Sequence, residues 1–177
     1  MFEKLVYAGI GSRETPTNIL TRMTEIASIL ALRGYCLRSG GADGADSAFE
    51  IGCRRVGGLS EIYLPWRGFN NHVSDLYHIS DIAYGLAEHV HPAWNSCSQG
   101  ARKLHARNAY QVLGSNLETP ADFVICWTPD GCETPETRTR RTGGTGQAIA
   151  IARLANVPVI NLFNRDAEQR LDNLLAS

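Results

Sequence analysis

Three glycine-rich segments constrain this chain more than any other feature: Gly9-Ile10-Gly11-Ser12-Arg13, Ser39-Gly40-Gly41-Ala42-Asp43-Gly44-Ala45-Asp46 and Thr142-Gly143-Gly144-Thr145-Gly146-Gln147. Each opens a segment of helical period. The first two follow a short apolar run directly, and the third follows one after a polar loop. Glycine at a strand-to-helix handover permits dihedrals closed to other residues and lets a backbone approach another group closely. In a parallel α/β sheet such turns lie beyond the carboxyl ends of the strands, where ligands bind and where helix N-termini present free N–H groups to anions. One such turn is equally well explained by its dihedrals alone; three on one rim point to a shared anion or nucleotide site. None is a Walker A loop, since no Gly-Lys-Ser/Thr follows. None is a dinucleotide fingerprint either, because residue 14 is Glu14 where the third glycine would stand.

The alternation around these turns sets the fold class. Apolar runs at residues 4–8, 35–38, 61–64, 122–127 and 157–162 read as strands. Between the first two, Ile19, Met23, Ile26 and Leu30 recur at helical spacing, with Thr15 placed to cap, Pro16 in the first turn and Gly34 past the end. Residues 43–55, 99–113, 144–155 and 167–175 read as further helices, and residues 71–86 fit no single period. Strand-helix alternation predicts an α/β fold, a parallel sheet with helices on both faces. With 177 residues, 44% of them hydrophobic, the chain is expected to form a single domain over residues 1–177. Residues 129–142 form a polar loop longer than most strand-to-helix connections, with Arg138, Arg140 and Arg141 and almost no apolar residue. It is expected to hang over the ligand edge and to be mobile when empty.

Charge and cysteine usage narrow the function classes. A formal net charge of −1 argues against a surface built wholly for nucleic acid, while leaving a local basic patch open. Cys36, Cys53, Cys97, Cys126 and Cys132 are odd in number and contain no C-x-x-C, which fits reduced thiols and a cytoplasmic setting. The start of the chain passes from Met1-Phe2-Glu3-Lys4 into a strand-like run, so no leader is expected, and no apolar stretch is long enough for a membrane span. His89 and His91 would face the same way on a strand, but spacing supplies no third ligand, so neither a metal site nor a resident cofactor is expected. Trp66 and Trp127 end strand runs near the ligand edge, where each either stacks on a base or closes the core. Cys126 reads as a core residue, Cys132 lacks the context of a nucleophile, and no Ser-His-Asp or Cys-His set is evident.

Taken in order, Gly11-Ser12-Arg13, the octad from Ser39 to Asp46, Tyr63-Leu64-Pro65, Ala106-Arg107-Asn108 and Gly143-Gly144-Thr145-Gly146 resemble the superfamily that joins the DNA-processing protein DprA/Smf with the LOG phosphoribohydrolases. The likeness is strongest to its short single-domain DprA-like members, common in phages and prophages, and covers roughly residues 5–162. It implies a Rossmann-like fold with a nucleotide or nucleic-acid site at the glycine rim. Gly9, Gly11, Ser12 and Arg13 would serve it from the first turn, Ser39, Gly40, Gly41, Asp43, Gly44 and Asp46 from the second, and Gly143, Gly144, Thr145, Gly146 and Gln147 from the third. Arg107 and Asn108 match the arginine-asparagine pair of the DprA helix, with Lys103 one turn before.

Two departures shape the functional expectation. The LOG glycine motif continues into a catalytic glutamate, whereas here Gln147-Ala148-Ile149-Ala150 follow, so no carboxylate stands at that place and no catalytic residue is assigned. Asp43 and Asp46 could reach the site from the second turn, or simply serve the start of a helix. The resemblance to full-length DprA reaches only its central domain, and the flanking domains that many DprA proteins carry are not expected here. The preferred expectation is a binding protein that holds a nucleotide or a nucleotide-derived signal without altering it, with ligand sequestration as a use. The alternatives are single-stranded DNA binding, which needs Arg54, Arg55, Lys103, Arg107 and residues 138–141 to converge, and nucleotide N-glycosidase or phosphoribohydrolase activity with rearranged groups. A homo-oligomer and no membrane partner are expected.

Overall fold

Strand β1 (Val6–Gly9) is buried at every position, as a strand covered on both faces must be. The computed structural model describes residues 4–176; residues 1–3, on which part of the leader expectation rests, and residue 177 lie outside the described residues. β1 pairs in parallel with β2 (Cys36–Ser39), Val6 opposite Cys36. The strands β3 (Ser60–Ile62), β4 (Phe123–Cys126) and β5 (Val159–Asn161) complete one parallel sheet of order β3-β2-β1-β4-β5. All five runs read from the sequence are strands. The chain winds outward from β1 to β3 and then returns across β1 to β4, so the sheet reverses its winding between β1 and β4. In such sheets the crevice beyond that reversal is where ligands bind.

Alternation along each strand divides the interior into two cores. Val6, Ala8, Val124 and Cys126 face one side, against α3 (Asp81–Val90), α4 (Gln99–Leu113) and α5 (Thr145–Leu154). Tyr7, Leu37, Phe123 and Ile125 face the other, against α1 (Thr17–Leu32), α2 (Ala45–Arg55) and α6 (Ala167–Ala176). The chain is thus α/β and Rossmann-like, with helices on both faces. Residues 71–86, which fit no single period, resolve into irregular chain followed by α3, begun by Ser80, whose hydroxyl accepts from the Ala83 N–H at 3.3 Å. Tyr110 Oη fixes that start to α4 by accepting from the Ser80 N–H at 2.8 Å. Among the described residues, no helix is long and apolar enough to cross a membrane.

The helices that open at the glycine rim lack side-chain caps. Pro16, not Thr15, occupies the N-cap of α1; the Thr15 hydroxyl donates to the Ser12 carbonyl at 2.7 Å instead. Gly44 and Gly144 hold the same position on α2 and α5, again with no side-chain cap. By contrast α3 and α4, which do not begin at the rim glycines, are capped by Ser80 and Ser98. An uncapped start leaves N–H groups for water or a ligand.

The first two glycine turns interlock. A Cβ on Gly44, whose φ is +81°, would come within 2.8 Å of both Arg13 Cα and the Ser12 carbonyl oxygen. A Cβ on Gly11 would lie 2.7 Å from that of Ala45. Gly57 offers a control, with φ +71° and nothing within 4 Å of a built Cβ. Gly57→Ala is therefore expected to cost about 1–2 kcal/mol, the left-handed backbone penalty alone. Gly44→Ala carries the same penalty plus a backbone clash and is expected to cost ~3 kcal/mol or more. Urea unfolding of both variants checks the difference; equal losses would show that the interlock does not stabilise the rim.

Candidate functional site

Beyond the carboxyl ends of β1 and β4 lies a cleft of about 660 Å³. One side is the turn after β1, from Ile10 to Glu14; the opposite side is the end of the polar loop and the start of α5, from Arg140 to Thr145. The α4 face forms the third wall, and Ala42 and Asp46 close the side toward α2. Residues from all three glycine segments thus meet around one cavity. Arg13, Arg140 and Arg141 are exposed at this cleft and give its mouth a positive lining.

Its floor is buried and polar. Arg107 is 5% exposed, and its Nη1 donates to the Gly40 carbonyl and, at 3.1 Å, to that of Tyr63. It is therefore buried at the cleft floor, whereas Lys103, one turn before, lines a different cavity. Adjacent Asn108 accepts from Arg107 Nε at 3.2 Å and donates to the Gly144 carbonyl at 3.3 Å, which ties α4 to the start of α5. Asp46, 4% exposed, accepts from the Ala42 N–H at 3.2 Å. Burial raises its carboxyl to about 6, although Arg107, the Ala42 and Gly40 backbone and Arg13 all pull the other way. Burial likewise pushes the Arg107 guanidinium down, opposed by Asp46. A carboxyl poised near neutrality beside a mouth lined by arginines makes the charge of the cleft depend on pH.

The polar loop is tied down more than its composition suggested. Thr139 and Thr142 hydroxyls both donate to Asp130 Oδ2 at 2.5 Å, and the loop contains two short 3-10 turns, Pro135–Thr137 and Arg140–Thr142. Cys132 is fully buried, and its carbonyl accepts from Asn161 Nδ2 at 2.8 Å. Glu133 takes the Asn161 N–H at 2.8 Å and pairs with Arg170 at 2.8 Å. Polar groups thus supply the anchoring that few apolar side chains could. Of the three arginines, Arg138 turns inward, its Nε 2.5 Å from where a Cβ on Gly146 would stand.

Several residues expected at the ligand edge are placed elsewhere. Gly9 is packed beneath Phe49, and its carbonyl accepts from Ser39 Oγ at 2.7 Å. Gly40 is needed for the close approach of Arg107, and Gly41 for that of His72. Asp43 is exposed outside the cleft lining, and neither it nor Asp46 takes the N-cap of α2, which is Gly44. The Ser12 N–H is spent on the Trp127 carbonyl at 3.3 Å, and the Trp127 side chain belongs to the core. Gln147 is buried and donates to the Ala87 carbonyl at 2.7 Å, fastening α5 to α3. Trp66 lines a different cavity, of about 340 Å³, with Arg67, Tyr77 and Lys103. His89 and His91 do not share a strand: the first lies in the last turn of α3 and the second at its C-cap.

The sequence reading missed the α4 wall, where Ala101, Leu104, His105 and Gln111 join Arg107 and Asn108 along the cavity. The i, i+3, i+4 and i+7 spacing of Leu104, Arg107, Asn108 and Gln111 was the available signal. Nothing local to α4 showed that this stripe would line a cleft built from other elements. Burial, with His91, Arg138 and Arg107 nearby, lowers His105 to about 4, so its ring is neutral at ordinary pH.

No protein-family model matches the chain, and no curated protein matches it either. Solved structures do. The molybdenum cofactor carrier protein of Chlamydomonas reinhardtii is 19% identical with a TM-score of 0.53, over 98% of this chain and 86% of that one. DNA processing protein A of Helicobacter pylori, described for its single-stranded DNA binding mode, is 18% identical with a TM-score of 0.54, over 96% and 72%. DprA of Streptococcus pneumoniae is 16% identical with a TM-score of 0.54, over 96% of this chain and 56% of that one. At these identities the likeness shows the fold alone: the chain shares the architecture of the molybdenum cofactor carrier protein and of DprA.

Proposed function

We propose that the cleft between the β1 and β4 ends binds a nucleotide or a nucleotide-derived phosphorylated small molecule and holds it without cleaving it. The observation that carries this reading is the meeting, around one cavity, of the uncapped helix start at Gly144 with Arg13, Arg140 and Arg141 at the mouth. Uncapped helix N-termini and forked cations are complementary to phosphate. The volume accommodates a nucleotide-sized molecule. Binding without cleavage rests on the run after Gly146, where Ile149 and Ala150 are buried in place of a motif carboxylate. The molybdenum cofactor carrier protein and the DNA processing protein A of Helicobacter pylori, which binds single-stranded DNA, share this fold, so a bound phosphorylated ligand is consistent with these neighbours.

Single-stranded DNA is the second reading, favoured by the cavity where Trp66, Tyr77 and Tyr84 stand with Arg67 and Lys103. Against it, the cations that would have to converge do not: Arg54 and Arg55 end α2, at the opposite end of that helix from the glycine rim, and Arg107 is buried.

Calorimetry with AMP and ADP-ribose tests the first reading. Arg13→Ala is expected to weaken binding by about 1.5–3 kcal/mol, the range for a lost charge-assisted hydrogen bond. Neutralising Arg140 and Arg141 together is expected to weaken it further and to reduce its salt dependence. Unchanged affinity in all variants, or tight binding of an oligonucleotide lost in Trp66→Ala, would shift the assignment to the second cavity.

The carboxyl of Asp46 makes a separate prediction. Above about pH 6 it is ionised and repels an anionic ligand; below, it is neutral and the repulsion is gone. Affinity for ADP-ribose, whose diphosphate charge is constant over this window, is therefore expected to rise roughly tenfold from pH 7.5 to pH 5. Asp46→Asn should flatten that profile, and an identical slope in the variant would assign the pH dependence to another group. Incubation with nucleoside monophosphates is expected to release no free base above background; release abolished by Asp46→Asn would establish hydrolysis in place of simple binding.

A further inference from the structure

The connection between α3 and α4 gathers three groups that the nucleotide reading does not use. His91 ends α3, the 3-10 turn Trp94–Ser96 reverses the chain, Cys97 follows it, and His105 returns on the second turn of α4. One ligand atom from each lies within 4.8 Å of the others. The Cys97 Sγ is 3.7 Å from His91 Nε2 and 3.9 Å from Nδ1, and the two imidazole rings are 4.5 Å apart. A tetrahedral ion with ordinary bond lengths separates a thiolate and an imidazole nitrogen by ~3.6 Å, so a contraction of well under an ångström would bring this pair to ligating distance.

We propose that His91, Cys97 and His105 form a binding site for a thiophilic divalent metal ion of the Zn²⁺ class, with a fourth position open. Two observations support it besides proximity, the free His105 nitrogen and the packing of His91 on Trp94. His105 Nδ1 is buried and has no hydrogen-bond partner among the described residues, an expensive state that ligation removes. The Ala93 N–H donates to His91 Nδ1 at 3.1 Å, a bond that ligation through either nitrogen of that ring would replace. The Trp94 ring packs edge-on to His91 with centroids 6.0 Å apart and holds it beside the turn. Two imidazoles and a thiolate favour Zn²⁺ or Co²⁺ over the oxygen-seeking Mg²⁺ and Ca²⁺.

The surrounding charge is the main opposition. Arg138 acts on both rings, and Arg102 sits 5.3 Å from the Trp94 ring centre. Cys97 offsets part of it: the thiol gives its proton to solvent as the sulfur–metal bond forms, so a divalent ion adds only one net positive charge. Burial and the Arg138 charge also lower both rings, His105 to about 4. His105 belongs to the cleft wall as well, so an occupied site would put this charge beside the anion-attracting mouth.

The test is a titration of the purified, metal-stripped chain with Co²⁺ and with Zn²⁺ alone. The expected result is one equivalent bound, with a thiolate-to-cobalt charge-transfer band and tetrahedral ligand-field absorption. The other four cysteines are buried, so the band should belong to Cys97. Cys97→Ser is expected to abolish it and weaken Zn²⁺ binding by about 100-fold or more, and His105→Ala to weaken Zn²⁺ binding comparably. No stoichiometric binding by the wild-type chain overturns the proposal whether or not the variants fold. A charge-transfer band that survives in Cys97→Ser overturns it too, by placing the ion on another thiol.

Discussion

Everything in this molecule is placed by the parallel pairing of β1 with both β2 and β4. That pairing makes β1 the central strand, commits Val6 and Ala8 to one core and Tyr7 to the other, and forces the winding to reverse at its carboxyl end. The cleft is a consequence of that reversal, since the connections leaving β1 and β4 depart to opposite faces and leave a gap between them. The glycines hold the walls of the gap at a usable separation. Gly11 and Gly44 let the first and second turns touch backbone to backbone, which a side chain on either would prevent.

Beneath the cleft, Arg107 does structural work that its charge disguises. It joins α4 to the second glycine turn through Gly40 and to the end of β3 through Tyr63, while Asn108 reaches the third turn at Gly144. One dipeptide thus holds two of the three turns in register. The exposed guanidiniums that remain for an anion are those of Arg13, Arg140 and Arg141, all at the mouth. Rim cations are screened by salt, whereas the buried pair fixes the shape of the cleft beneath them.

Much of this was legible in advance because its causes are local. Strand runs, helical periods and the glycine punctuation at the turns depend on neighbours in sequence, and every strand and most helices followed from them. Residues 71–86 were not legible, because α3 begins only where Ser80 is fixed by Tyr110, thirty residues away on α4. Thr15 misled for a related reason: its hydroxyl found the Ser12 carbonyl, a tighter local partner than the start of the helix. The polar loop read as unanchored because its ties come from Asn161 at the end of β5 and Arg170 on α6, both distant in sequence.

The candidate site divides in the same way. By itself the sequence determined that three glycine turns would share the carboxyl rim of one parallel sheet, since strand-helix alternation leaves no other edge for them. Only the tertiary structure decided which members of those turns reach the cavity. Gly9, Gly40 and Gly44 went to close packing, Gln147 to a buried tie between helices, and Trp66 to a separate cavity, while α4 supplied a wall that no glycine motif announced. A motif fixes backbone conformation through its own residues, but whether a group faces solvent, core or cavity depends on atoms brought to it from distant parts of the chain.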